Sequence, residues 1–120
     1  MLKIYHNNRC SKSRCALQVV EALEQPFELV EYLKTPPSEA EIRELLVLLG
    51  KKPLELIRQK ETLFQEKFKG QTLSDEAWIK VMAENPVLIE RPIVVANGRA
   101  WIARDEESLE EMRFIAGHSK

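Results

Sequence analysis

Cys10 is the residue whose surroundings most clearly suit chemistry. The segment Ile4-Tyr5-His6-Asn7-Asn8-Arg9-Cys10-Ser11-Lys12-Ser13-Arg14 passes from an apolar stretch through a polar loop into an apolar-periodic run. That order reads as strand, loop, cysteine, helix start. A thiol at a helix start faces unpaired backbone N–H groups and the positive end of the helix dipole, and both favour thiolate over thiol. A free cysteine titrates near ~8.5, and such sites lower that by several units. Arg9, Lys12 and Arg14 add positive charge. The expectation is a reactive Cys10 thiolate. His6 lies on the same loop and reads evenly as scaffold or as support for the sulfur.

The elements that must position this loop follow from pattern. Leu2 to Tyr5 is apolar on both faces and reads as a central strand. Ser11 to Glu24 is a helix with Ser11 or Ser13 as its cap, ended by Gln25-Pro26. Phe27 to Tyr32 alternates as a second strand, giving a β-α-β unit with parallel strands and a right-handed crossover. Ser38-Glu39-Ala40-Glu41 is a capping box opening a helix that stops at Gly50. A short helix follows over Leu54 to Arg58, then an ambiguous stretch from Glu61 to Lys69, then a helix opening at Ser74 and ending by Asn85-Pro86. Ile93 to Ala96 and Arg99 to Ala103 are strands joined by Asn97-Gly98, a strong hairpin signal. Asp105 to Ile115 is a last helix, and the tail from Ala116 is expected to fray. The fold class is therefore α/β, a mixed four-stranded sheet ordered β-α-β then β-β-α, with a helical insertion over about residues 38–84.

Composition narrows the function. The chain has 120 residues, enough for one domain, with 44% hydrophobic and 31% charged residues, as expected of a soluble globular protein. A net charge of -1 lacks the basic footprint of a nucleic-acid binder. No apolar run approaches the ~20 residues of a membrane span, and there is no secretory signal pattern. The expected location is the cytoplasm and the expected state a monomer. The cysteines Cys10 and Cys15 and the histidines His6 and His118 do not make a zinc pattern, so no metal is expected.

The resemblance to a known family rests on dispersed blocks. His6-Asn7-Asn8-Arg9-Cys10-Ser11-Lys12-Ser13-Arg14 resembles the His-Asn-Pro-x-Cys-x-x-Ser-Arg signature of the glutaredoxin-coupled arsenate reductase (ArsC) family, which has the thioredoxin-like fold. Tyr32-Leu33-Lys34-Thr35-Pro36-Pro37, Leu56-Ile57-Arg58, Pro86 to Val95 and Ala103-Arg104 resemble further blocks of that family in the same order. The resemblance implies reduction of arsenate to arsenite. Cys10 would be the nucleophile, and Arg58, Arg91 and Arg104 would bind the oxyanion. His6, Ser13 and Arg14 would support the thiolate, and Pro92 would be the cis-proline beside it. Glutathione would be co-substrate and glutaredoxin partner, with no bound cofactor.

Two residues depart from that pattern. Asn8 replaces the proline usual in the signature. Cys15 is extra; the favoured reading is a small apolar packing residue on the first helix, and the alternative is a resolving thiol for Cys10. Five helical residues rise roughly 7–8 Å, which exceeds the reach of a disulfide without unwinding. A competing function is an Spx-like regulator that binds RNA polymerase, but its C-x-x-C switch would need a cysteine where Ser13 stands. A reductase of another oxyanion or thiol-linked substrate is the remaining alternative. Arg9, Lys12, Arg43, Arg99 and Arg113 read as surface charge, and Trp78 and Trp101 as packing.

Overall fold

The computed structural model describes residues 2–117. Its elements are β1 (Leu2–His6), α1 (Ser11–Ala22), β2 (Phe27–Glu31), α2 (Glu39–Leu49), α3 (Pro53–Leu56), α4 (Thr62–Lys67), α5 (Asp75–Glu84), a 3-10 turn (Pro86–Leu88), β3 (Ile93–Ala96), β4 (Arg99–Ile102) and α6 (Glu106–Gly117). The chain divides into two compact units, one formed by the segments up to Thr35 and from Arg91 onward, the other by Pro36–Glu90.

The first unit holds the sheet, in the order β2-β1-β3-β4. β1 is central, parallel to β2 with His6 opposite Glu31, and antiparallel to β3. β3 and β4 are an antiparallel hairpin in which Ile93 faces Ile102. Its turn places Asn97 and Gly98 at φ 53 and 72 degrees, the left-handed pair that a two-residue hairpin needs. Alternation sends Leu2, Ile4, Val94, Ala96, Trp101 and Ala103 into a buried core with Ala16 and Val20 of α1 and Met112 and Ala116 of α6. Glu24, at φ 55, turns the chain out of α1 toward β2. Asp105 caps α6, its Oδ1 accepting from the Ser108 N–H at 2.7 Å.

The second unit is helical. Ser38 caps α2 with both halves of the capping box formed, and Gly50 ends it at φ 66. Ser74 caps α5 by accepting from the Ala77 N–H at 3.2 Å. Phe64, Phe68 and Trp78 form an aromatic cluster with ring centroids 5.9 to 6.4 Å apart. A single antiparallel bridge, Ile57 to Ile89, ties the end of α3 to the 3-10 turn.

Several expectations are corrected. The cap of α1 is Cys10 itself, not Ser11 or Ser13; Ser13 is drawn away because its hydroxyl is used by the preceding loop. The stretch from Glu61 to Lys69 is a choice between open alternatives rather than a correction: it carries the short helix α4. The fraying expected from Ala116 does not begin there, because α6 continues to Gly117 and Ala116 is buried. His118 to Lys120 lie outside the described residues. Cys15 is exposed rather than packed into α1's buried face, which is made of Ser13, Ala16 and Val20.

Candidate active site

The cysteine loop is built from its asparagines. The Asn7 carbonyl accepts from the Cys10 N–H at 3.0 Å, closing a turn. The Asn7 side-chain oxygen accepts from the Arg9 N–H at 3.0 Å, the local bond by which asparagine stabilises turns. The Asn7 N–H donates to Ser13 Oγ at 2.9 Å. Ser13 is fully buried, and its Oγ lies 2.7 Å from His6 Nδ1. His6 Nε2 lies 3.3 Å from Asn8 Oδ1. A neutral His6 protonated on Nε2 satisfies this chain: Nε2–H donates to Asn8, and the Ser13 hydroxyl donates to Nδ1. The tautomer is assigned from the network. Arg14 is exposed, and its Nη1 donates to the Asn8 carbonyl at 2.8 Å, so its contact is with the loop rather than the sulfur.

Cys10 is therefore held as the N-cap of α1, at φ -98 and ψ 123. Burial pushes its thiol up, but other effects bring it below the ordinary value. The Ser13 backbone N–H, the Arg91 charge, the Lys12 backbone N–H and the Arg104 guanidinium all favour the thiolate. Arg104 Nη1 donates to Cys10 Sγ at 3.9 Å, the long end of an N–H···S contact. The same Nη1 donates to the Arg91 carbonyl at 2.9 Å.

The hairpin explains why these two arginines meet. Pro92 and Ala103 continue its register, joined by Ala103 N–H to Pro92 carbonyl at 2.9 Å. Arg91 and Arg104 are the next pair outward. The Arg91–Pro92 peptide is cis. Arg91 Nε is buried with no hydrogen-bond partner among the described residues. A buried guanidinium N–H without an acceptor is unusual and suits a site that takes an anion.

Of the residues expected at the site, Cys10, His6, Ser13, Arg14, Arg91, Pro92 and Arg104 lie in the first unit. Arg58 belongs to the helical unit. There its backbone N–H donates to Leu88 at 2.7 Å, and its Nη1 donates to the Val87 carbonyl at 3.1 Å and pairs with Glu61 at 3.0 Å. The structural parts of Asn7 and Asn8 were missed by sequence reasoning; adjacent asparagines before a helix start are a turn signal that could have found them. Among the described residues, no group of three or more His, Cys, Asp or Glu is placed to hold a metal ion. No helix there is long and apolar enough to cross a membrane.

Comparison with known proteins bears on this geometry. The ArsC family profile matches residues 5–112, a span that runs from the cysteine loop past Arg104. An uncharacterised protein of Escherichia coli, YfgD, is 49% identical over 92% of this chain and 95% of its own. An arsenate reductase of Neisseria meningitidis is 40% identical over 91% of this chain and 95% of its own. The solved structure of an arsenate reductase from Vibrio cholerae superposes with a TM-score of 0.81 at 42% identity, covering 92% of each chain. With the thioredoxin-like sheet, the helix-capping cysteine and the sequence likeness along nearly its whole length, the chain belongs to the ArsC family.

Proposed function

We propose that the protein is a thiol-dependent arsenate reductase. Cys10 is its nucleophile, and glutathione with glutaredoxin is its reductant. The observation that carries this reading is a cysteine of lowered pKa at a helix N-terminus, next to a paired Arg91 and Arg104. The names of the relatives from Neisseria meningitidis and Vibrio cholerae point the same way.

Arsenate is a tetrahedral oxyanion, and guanidinium forks match its oxygens with fixed positive charge. Arg91 and Arg104 hold it beside the sulfur, and the family resemblance adds Arg58 as a third ligand. The same charges offset the repulsion between thiolate and oxyanion. The Cys10 thiolate attacks arsenic, and one oxygen leaves as water. Glutathione then takes Cys10 into a mixed disulfide, which glutaredoxin resolves. Two thiols lose two electrons to become one disulfide while arsenic(V) becomes arsenic(III), so no metal or organic cofactor is needed. His6, Ser13 and Arg14 act as positioning residues for the cysteine loop. We place the protein in the cytoplasm, as a monomer.

The test is arsenate-dependent NADPH oxidation with glutathione, glutaredoxin and glutathione reductase. Turnover is expected in the wild type and none in Cys10→Ser. A wild type that does not turn over would overturn the reading.

A further inference from the structure

The helical unit holds one ion pair unlike the rest. Arg58 Nη1 lies 3.0 Å from a Glu61 carboxylate oxygen, with side chains 23% and 26% exposed. The other four ion pairs among the described residues have side chains 45% to 75% exposed, where solvent and salt screen them. Local structure explains how the pair forms. The Arg58 N–H donates to the Leu88 carbonyl at 2.7 Å, beside the Ile57–Ile89 bridge, so the backbone at Arg58 is pinned. The Glu61 N–H donates to the Arg58 carbonyl at 3.1 Å, closing a turn over 58–61. Glu61 stands at the N-cap position of α4, yet its side chain makes no cap hydrogen bond. Its carboxylate is turned to Arg58 instead.

The contact is made on one side of the guanidinium. A guanidinium carries five N–H donors in one plane. Two of them are on Nη1, which has two acceptors, Glu61 and the Val87 carbonyl at 3.1 Å. Neither Nε nor Nη2 has a hydrogen-bond partner among the described residues. Those two nitrogens form the edge that grips an oxyanion through parallel N–H donors. Two acceptors on Nη1 fix the plane of the group and leave this fork whole. Arg104 is steadied in a like manner, its Nη1 donating to the Arg91 carbonyl. Neither Arg91 nor Arg104 pairs with a carboxylate among the described residues. Of the three arginines, Arg58 is the one whose fork is set by an acid.

We propose that Glu61 is a positioning residue for oxyanion binding: with the Val87 carbonyl it clamps Arg58 by Nη1 and presents the Nε–Nη2 edge to the anion. The proposal rests on the reading of Arg58 as an oxyanion ligand. A free arginine side chain must be ordered each time it binds, and that cost lowers affinity. The clamp orders Arg58 during folding, before the anion arrives. The charge of Glu61 works the other way, since a nearby carboxylate repels an anion. Orientation and charge are separable. Glutamine keeps the acceptor oxygen and drops the charge, whereas alanine drops both.

The experiment measures protection of Cys10 against iodoacetamide by inorganic arsenate, without glutathione. The readout is the arsenate concentration that halves the alkylation rate, with each variant's own rate in the absence of arsenate as its reference. Glu61→Ala is expected to need about two- to tenfold more arsenate than Glu61→Gln, the scale of ordering one long side chain. The two variants share the same charge change, so their ratio reads orientation alone. With Arg58→Ala in both, the ratio should collapse to unity, because no guanidinium is left to orient. A ratio of unity in the native background overturns the proposal. A ratio that persists without Arg58 also overturns it, since that marks a packing defect at α4. Arg58→Ala alone should weaken protection relative to wild type. If it does not, Arg58 is no oxyanion ligand, and the proposal falls with that reading. If it does while Glu61→Ala and Glu61→Gln match, Arg58 stands as ligand and only the part given to Glu61 falls. The expected ratio in a protein that does not turn over arsenate would remove the reductase reading and uphold the clamp.

Discussion

The ionisation of Cys10 is a contest between burial, which opposes the thiolate, and four groups that favour it. The largest favouring effect comes from the Ser13 backbone N–H, which side-chain substitution leaves in place. The Arg91 charge comes next, and the Arg104 contact is the smallest of the four. Arg104 has a second task, because its Nη1 also holds the Arg91 carbonyl. Rates of iodoacetamide alkylation against pH should therefore give the wild type an apparent Cys10 pKa below the free-cysteine value of about 8.5. Arg91→Ala should raise it most and Arg104→Ala less, with both variants still below the value of an unfolded control because the helix amides remain. A wild-type value equal to a free cysteine's would remove the thiolate argument. Cys15 gives an internal comparison in the same experiment, since it is exposed on α1. At this scale the sequence was legible for Cys10, whose loop-to-helix setting is written in consecutive residues. It was not legible for Cys15, because α1 is amphipathic over a narrow stripe and a small sulfur side chain fits either side of it.

The elements show where local pattern suffices and where it does not. The Asn97-Gly98 turn sets the hairpin register, and the register sets Arg91 against Arg104. That pairing was open to sequence reasoning, since the turn position alone makes 91 and 104 opposite positions. The Ile57–Ile89 bridge was not, because nothing local marks two residues so far apart as partners. Thr62–Lys67 was ambiguous for a related reason: a six-residue helix has too few turns for a period to declare itself. The cap of α1 failed differently. Two serines offered themselves as caps, but one is the first helical residue and the other is spent on Asn7 and His6. By contrast Ser38 is engaged in its cap, its Oγ accepting from the Glu41 N–H at 3.1 Å while Glu41 accepts from the Ser38 N–H at 3.1 Å. Ser38→Ala should destabilise the protein by about 0.5–2 kcal/mol in urea unfolding, and Ser38→Asp should recover most of it. A loss below a few tenths for Ser38→Ala would mean that α2 is fixed by its packing alone.

At the scale of the whole molecule, the sequence marked a helical insertion over about residues 38–84, and the compact helical unit runs from Pro36 to Glu90. The extra residues are Pro36 and Pro37 at the start and, after Glu84, the stretch through the 3-10 turn to the segment bridged to Ile57, whose membership depends on contacts distant in the chain. The charge state of Cys10 is also a property of the whole fold, because it couples titration to unfolding. The folded chain lowers the Cys10 pKa, while the unfolded chain returns it to about 8.5. Between those two values the unfolded state binds more protons, so stability rises with pH. The contribution is fully present above the unfolded value and is lost as pH falls through the folded one. Cys15 is present in both wild type and Cys10→Ser, so its own titration cancels in a comparison of the two. Urea unfolding under reducing conditions should therefore show the wild type gaining stability relative to Cys10→Ser as pH rises from about 5 to about 9. The gain should be smaller when Arg91→Ala stands in both backgrounds, because that charge is one of the groups that depress the folded value. Parallel stability curves for wild type and Cys10→Ser would mean that folding does not perturb the thiol. The arginines and the helix start would then have no electrostatic hold on the sulfur they surround.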